Sequence, residues 1–194
     1  MFSLVGLIDH LTESGYLKTP AIRSALEAVD RSDFVPIDLK DQAYVDEPLP
    51  IGFGQTISQP LTVVFMLELL GPEVGNRILD IGSGSGWQTA LLAHIVSDGG
   101  KPTAEGRVFA IERIPQLKKM AESNVHKYGF PEKGIVEIIL GNGSKGCLEY
   151  SPYDGIIAAA AGKDIPVAWK DQLKIGGKIV APVGQSIRVC EKIS

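Results

Sequence analysis

Three glycines follow an apolar, acid-containing run in residues 77–87, whose sequence is RILDIGSGSGW. The pattern predicts a strand, a tight turn without side chains and a helix N-terminus whose free N–H groups can bind a ligand. A dinucleotide fingerprint G-x-G-x-x-G would need glycine at position 87, where this chain has Trp87. The spacing G-x-G-x-G after Asp80 instead favours S-adenosylmethionine, which has no pyrophosphate to bind. A plain tight turn also fits the motif taken alone.

Three more polar positions adjoin predicted strands. Glu112 ends the predicted strand 107–112, where it can accept hydrogen bonds from both ribose hydroxyls; the alternative is a solvated charge. Asn142, between two glycines after the predicted strand 135–140, can bond an adenine edge or form a simple Asn-Gly turn. Asp154 precedes a predicted strand, and an acidic turn residue explains it at least as well as a catalytic role does.

These positions need a sheet that brings strand ends together. Strands are predicted at 77–81, 107–112, 135–140, 154–160 and 178–183, and helices at 86–97, 114–128 and 165–173. This alternation predicts an α/β fold, a doubly wound and mostly parallel sheet, with ligands at the carboxyl ends of its strands. We expect one domain over 1–194, with a helical N-terminal part and substrate loop at 1–75 and the α/β core at 76–194.

The N-terminal part has three predicted helices. One stops at Gly15, a second begins after Thr19, and a third runs from about Pro60 to Leu69. Residues 33–55 match no regular element, and irregular segments of this length are usually functional. The polar residues of the following segment, GQTISQP at 54–60, are explained if Ser58 or Gln59 caps the third helix. Alternatively, the stiff loop before this segment can form one wall of a pocket.

Charge and composition exclude several classes. A net charge of −4 and a pI near 5.4 give no electrostatic basis for binding nucleic acid or an anionic membrane. No apolar run reaches the length of about 18 residues that spans a bilayer, so we expect a cytoplasmic protein. Two isolated cysteines and three scattered histidines predict no metal site.

The chain resembles the protein-L-isoaspartate (D-aspartate) O-methyltransferase family from residue 4 to residue 183. The motifs that show this are DFVP at 33–36, AY at 43–44, PLPIG at 48–52, GQTISQP at 54–60, LDIGSGSG at 79–86, YDGII at 153–157 and LKIGG at 173–177. The glycine turn is shared by many S-adenosylmethionine-dependent methyltransferases. The GQTISQP segment is far more specific to this family.

The resemblance implies a protein repair enzyme with a Rossmann-like methyltransferase fold. Such an enzyme transfers a methyl group from S-adenosylmethionine to the α-carboxylate of L-isoaspartyl residues in proteins and peptides, releases S-adenosylhomocysteine and uses no metal. Ser58 matches the active-site serine, and we expect a monomer. The substrate-binding residues are then Gln55, Thr56, Ile57 and Ser58, and the cofactor-binding residues are Asp80, Gly82, Ser83, Gly84, Gly86, Glu112, Arg113, Asn142 and Gly143.

Three features depart from the usual family pattern. Asn142 stands where the family usually has aspartate; its amide oxygen can still accept from the adenine amino group, so we expect weakened binding of the cofactor. Threonine and proline, usual in the family, are missing from 158–162. Family members usually continue with a further strand, without which the last strand would have an exposed edge. A catalytically silent S-adenosylmethionine-binding module and a small-molecule methyltransferase are the alternatives.

Overall fold

Six α-helices and eight β-strands are present in the computed structural model, which describes residues 3–103 and 105–194. The helices are α1 (Leu4–Glu13), α2 (Pro20–Ala28), α3 (Pro60–Leu70), α4 (Trp87–Val96), α5 (Pro115–His126) and α6 (Val167–Asp171). The strands are β1 (Leu49–Gly52), β2 (Gln55–Ile57), β3 (Arg77–Ile81), β4 (Arg107–Glu112), β5 (Val136–Leu140), β6 (Tyr153–Ala158), β7 (Leu173–Val183) and β8 (Ser186–Glu191).

Strands β3 to β8 form one sheet in the order β5-β4-β3-β6-β7-β8. All neighbouring pairs are parallel except β7 and β8, which form an antiparallel hairpin. From β3 the chain passes through α4 to β4 and α5 to β5, then returns to β6 on the other side of β3. The carboxyl end of β3 is therefore the topological switch point, where open α/β sheets bind ligands. This confirms the predicted fold class.

The central strands are apolar at nearly every position, as a sheet that is covered on both faces requires. Along β3, Ile78 packs into one core cluster and Leu79 into another. The first cluster lies under α1 to α5, and the second includes Trp169 of α6. Since strand side chains alternate between faces, the two clusters are the two layers of a doubly wound domain.

The segment 33–55 was predicted without regular structure, and this prediction was wrong. It contains β1, which forms an antiparallel hairpin with β2 at the end of the segment, and 3-10 turns at Arg31–Phe34 and Ile37–Gln42 precede this hairpin. The hairpin turn has Phe53 and Gly54 at φ 54° and 68°, the left-handed values that a type I′ turn requires. The usual sequence signal for this turn is Asn-Gly. Here Phe53 stands at the first central position, so the sequence lacks that signal.

The other differences lie at the end of the sheet. Strand β7 begins at Leu173, five residues before its predicted start, and β8 was not predicted. Strand β8 is an edge strand with mostly exposed side chains, so no apolar alternation marks it. Strand β6 ends at Ala158, which leaves residues 159–162 as a loop. Among the described helices, none has both the length and the apolar character needed to cross a membrane.

Candidate active site

A cavity of about 510 Å³ opens at the carboxyl ends of β3, β4, β5 and β6, with the hairpin of β1 and β2 on its other side. Nine of the residues predicted for the site line it: Gln55, Thr56, Ser58, Gly82, Gly84, Glu112, Arg113, Asn142 and Gly143. The loop 159–162 and Trp169 complete the wall. The remaining predicted residues, Ile57, Asp80, Ser83 and Gly86, lie behind this surface.

The glycine turn after β3 depends on backbone conformations that favour glycine. Gly82, Gly84 and Gly86 have φ values of 85°, 54° and 94°. A Cβ atom at Gly86 would lie 3.2 Å from both Cα and Cβ of Ala121 in α5. Gly86 is therefore needed for close packing of the turn on α5 and does not contact the cavity.

Asp80 is fully buried and also does not line the cavity. Its Oδ1 accepts a hydrogen bond from Gln88 Nε2 at 2.8 Å and its Oδ2 one from Thr89 Oγ1 at 2.6 Å. Burial raises the pKa of Asp80 to about 6, although these two hydrogen bonds oppose the shift. Asp80 thus fastens the first turn of α4 to β3, and its contribution to the site is the shape of the glycine turn.

Glu112, at the end of β4, ties the turn to the sheet. One carboxylate oxygen accepts from Gly84 N at 2.9 Å, and the other accepts from Arg113 N at 2.8 Å and Ile114 N at 3.0 Å. The side chain is buried except where it faces the cavity. A single carboxylate therefore fixes three backbone amides and presents negative charge to the cavity wall.

Asn142 adopts an arrangement that differs from the expectation. Its amide oxygen accepts from Ser144 N at 3.1 Å and from Ser144 Oγ at 2.9 Å. Both acceptor sites of the oxygen are occupied in this way, so the NH2 group is the end left for a ligand. The amide oxygen that was expected to accept from adenine faces its own turn instead.

Gly143, next to Asn142, is confined on two sides. A Cβ atom there would lie 2.5 Å from Cγ2 of Ile81, which leaves room for glycine only. Its carbonyl oxygen accepts from the indole nitrogen of Trp169 at 2.7 Å. The tight fit anchors the end of β5 against β3 and α6.

Ser58 is half-buried on the cavity wall and does not cap α3. The N-cap residue is Gln59, whose side chain makes no capping bond; Asp46 Oδ1 instead accepts from Leu61 N at 2.8 Å. Among the described residues none bonds the Ser58 hydroxyl, so it is available to a ligand. Ile57, predicted to bind substrate, packs its side chain into the core.

Two buried donors lie close to Ser58. The hydroxyl of Ser83 and the indole nitrogen of Trp87 have no hydrogen-bond partner within residues 3–103 and 105–194. Both residues line a small cavity of about 30 Å³ that Ser58 and Gly82 also line. The indole ring does not line the larger cavity and does not block it.

Asp154 lies at the opposite edge of the sheet. Its carboxylate accepts from Arg77 N at 2.8 Å and from Lys174 Nζ at 2.6 Å. Because β6 runs parallel to β3, this position is at the amino end of both strands. Asp154 is structural, as one alternative held, and it does not belong to the site.

Three residues that support the site were not predicted: Arg31, Asp46 and Trp169. Arg31 and Asp46 act through contacts with backbone groups 12–27 residues away, and such contacts leave no spacing signal in the sequence. Trp169 could have been suspected, since a buried indole needs a hydrogen-bond acceptor. Within the described ranges, no three histidine, cysteine, aspartate or glutamate side chains are grouped to hold a metal ion.

Comparison with known proteins gave consistent matches. The family model described as protein-L-isoaspartate(D-aspartate) O-methyltransferase matches residues 4–194. A protein-L-isoaspartate O-methyltransferase of Staphylothermus marinus is 46% identical over 178 residues, which cover 92% of this chain and 78% of that protein. The corresponding protein of Methanopyrus kandleri is 44% identical, over 92% of this chain and 75% of that protein.

Solved structures match as well. A protein-L-isoaspartate O-methyltransferase superposes with a TM-score of 0.80 at 28% identity, covering 93% of this chain and 55% of that chain. A Plasmodium falciparum structure, described as a putative enzyme of the same kind in complex with S-adenosyl-L-homocysteine, gives 0.85 at 22% identity, over 97% of this chain and 89% of that chain. At that identity, the second match shows the fold alone.

Proposed function

We propose a function for this chain from the premise that it belongs to the protein-L-isoaspartate(D-aspartate) O-methyltransferase family. It transfers a methyl group from S-adenosylmethionine to the α-carboxylate of L-isoaspartyl residues in damaged proteins and peptides. The observation on which this rests most is that Ser58, within the GQTISQP segment, lines the same cavity as Gly82, Gly84 and Glu112.

The residues around the glycine turn fit the cofactor. A Cβ atom at Gly82 would lie 3.5 Å from Cβ of Ala160, which also lines the cavity, so a side chain there would take up space that a ligand needs. A Cβ atom at Gly84 would instead crowd Ile51 of the hairpin, at 3.3 Å from its Cδ1. The Ser83 hydroxyl is a buried donor without a partner in the described structure, and Glu112 offers carboxylate oxygens. When bound, S-adenosylmethionine supplies a methyl group on a sulfonium cation that is already activated.

We assign the cofactor side of the cavity to Gly82, Gly84, Glu112, Arg113, Asn142 and Gly143, and we add Ser83 as a buried donor behind this wall, on the small cavity that Gly82 also lines. Asp80 and Gly86 serve this side indirectly, because they fix the conformation of the turn. Gln55, Thr56 and Ser58 form the substrate side.

The task of the substrate side is orientation. An α-carboxyl group has an ordinary pKa of about 3.5, so it is ionised at neutral pH and needs no base. The Ser58 hydroxyl can donate to one carboxylate oxygen and direct the other toward the cofactor side. Orientation of this kind can contribute about 7–11 kcal/mol to lowering a barrier. Ser58 is thus assigned as the catalytic residue, in a positioning function that needs no proton transfer.

The test uses two peptides of one sequence, one with L-isoaspartate and one with ordinary aspartate, incubated with methyl-labelled S-adenosylmethionine. We expect a base-labile methyl ester on the isoaspartyl peptide alone. Binding of S-adenosylhomocysteine without any ester would favour the silent binding module, for which Asn142 is the motivating residue. Methylation of metabolites alone would favour a small-molecule enzyme. The monomeric state and cytoplasmic location stay predictions from the sequence.

A further inference from the structure

Arg31 is a buried cation that contacts the substrate side of the cavity from behind. It begins the 3-10 turn Arg31–Phe34, and none of its surface is exposed. Its Nη1 donates to the carbonyls of Ala43 and Val45 at 2.7 and 3.3 Å, and its Nη2 donates to those of Glu47 and Ser58 at 3.0 and 3.1 Å. One side chain therefore holds four carbonyls along the segment 43–58.

The guanidinium also reaches the cofactor side. Its carbon lies 5.3 Å from the centroid of the Trp87 ring, in a cation–π contact. Trp87 is the first residue of α4 and directly follows Gly86 of the glycine turn. Arg31 thus bridges the loop that bears Ser58 and the helix that begins at the cofactor turn.

The energetics of this arrangement point away from simple stabilisation of the fold. No carboxylate of the described residues forms a salt bridge with Arg31. Burial lowers the pKa of its guanidinium to about 10, and the charge of nearby Asp46 opposes this shift. Well-packed apolar side chains often stabilise a core as well as buried charges do. The property that only a planar guanidinium offers here is a set of directed bonds to several carbonyls of one loop.

We propose that Arg31 is a positioning residue that holds segment 43–58, and with it Ser58, in register with the glycine turn. The proposal rests on the function proposed above. A two-stranded hairpin such as that of β1 and β2 is marginally stable by itself, so its conformation depends on such contacts. The cofactor turn has its own supports in Asp80 and Glu112. Loss of Arg31 should therefore reduce activity on the isoaspartyl peptide more than it reduces affinity for the cofactor.

The experiment compares Arg31→Met and Arg31→Lys with a matched control, Arg77→Met. Arg77 also donates to a carbonyl, that of Tyr150 at 2.7 Å, and lies over an aromatic ring, that of Phe109 at 5.1 Å. It does so at the opposite edge of the sheet. Four quantities are measured: kcat and KM for the isoaspartyl peptide, Kd for S-adenosylhomocysteine, amide hydrogen exchange in 43–58, and Tm.

For Arg31→Met we expect kcat/KM for the peptide to fall about tenfold or more, since all four hydrogen bonds from the charged donor to the loop are lost. Exchange in 43–58 should become faster, while Kd for S-adenosylhomocysteine stays within about threefold of the wild type. Arg31→Lys should recover part of the loss, because an ammonium keeps three donors but loses the planar fork. Arg77→Met should lower Tm alone.

The proposal is overturned if Arg31→Met behaves like Arg77→Met, with a lower Tm but unchanged kinetics and exchange, or if peptide and cofactor affinities fall together. Should Arg31→Met fail to fold, Arg31→Lys is compared with the wild type in the same way. A wild-type protein that methylates no isoaspartyl peptide would refute the proposed function, while exchange in 43–58 would still decide the role of Arg31.

Discussion

Replacing Asn142 with aspartate should tighten the binding of S-adenosylhomocysteine. In the structure the Asn142 oxygen is occupied by the amide and hydroxyl of Ser144, so its NH2 group is the end available to the cavity. This donor cannot accept from the amino group of adenine. Aspartate would keep the bonds to Ser144 through one oxygen and offer the second as a charged acceptor.

The expected gain follows from the nature of this bond. A hydrogen bond to a charged group contributes about 1.5–3 kcal/mol, and because Asn142 is exposed we take the lower end of that range. A gain of about 1.5 kcal/mol lowers Kd by slightly more than tenfold. Isothermal titration calorimetry of the wild type and Asn142→Asp measures this directly.

Two controls isolate the cause. S-inosylhomocysteine, which has a carbonyl in place of the amino group, should bind Asn142→Asp more weakly than it binds the wild type. Asn76→Asp adds the same charge at the opposite edge of the sheet, where Asn76 Oδ1 accepts from Glu73 N at 2.9 Å, and should leave the Kd for S-adenosylhomocysteine unchanged. Equal tightening for both ligands, or a Kd for S-adenosylhomocysteine that stays within about twofold, would show that this side chain does not meet the adenine amino group.

Three further predictions concern the turn and the serine. Ser58→Ala should lower kcat for the isoaspartyl peptide about 10- to 100-fold, through loss of one hydrogen bond to a carboxylate, with little effect on the Kd for S-adenosylhomocysteine; equal losses in both would contradict its role. Gly86→Ala should lower the free energy of unfolding, measured in urea, by about 2–3 kcal/mol, because alanine is strained in the left-handed conformation and its Cβ would contact Ala121. Gly71→Ala is the control: at φ 63°, with no atom near its Cβ, it should lower this free energy by only about 1 kcal/mol. The pKa of Asp80 is raised to about 6, so the folded state keeps its proton to a higher pH than the unfolded state. The contribution of Asp80 to stability is thus greatest below about pH 4 and falls by about 3 kcal/mol as the pH rises through about 6. Urea titrations at a series of pH values should show this decline for the wild type and not for Asp80→Asn. Parallel stability curves for the two proteins would contradict the raised pKa of Asp80.

The sequence was sufficient for the fold, the family and the cofactor class, all of which are confirmed. Strand β3, for example, was predicted at its observed bounds, because a buried parallel strand needs a continuous apolar run and the glycines that follow end it sharply. The fold then required Glu112 and Asn142 to meet the glycine turn at one edge of the sheet. Their assignments to the cofactor stay predictions.

The details of the site were beyond the sequence because they depend on long-range contacts. Asp80 precedes the glycines as a ligand residue would, yet it bonds Gln88 and Thr89 of the next helix. Asp46 caps α3 only because a loop of about fifteen residues folds back onto the start of that helix. No local sequence pattern predicts this contact. The same holds for Arg31, whose four carbonyl partners are up to 27 residues away.

The most direct test of the site is a crystal structure of this protein with S-adenosylhomocysteine and an isoaspartyl peptide. We expect the ligand on the turn of Gly82 and Gly84, with Glu112 at the ribose and the isoaspartyl α-carboxylate within hydrogen-bond distance of the Ser58 hydroxyl. A peptide bound with its carboxylate away from Ser58, or a cofactor product located elsewhere on the molecule, would contradict the account.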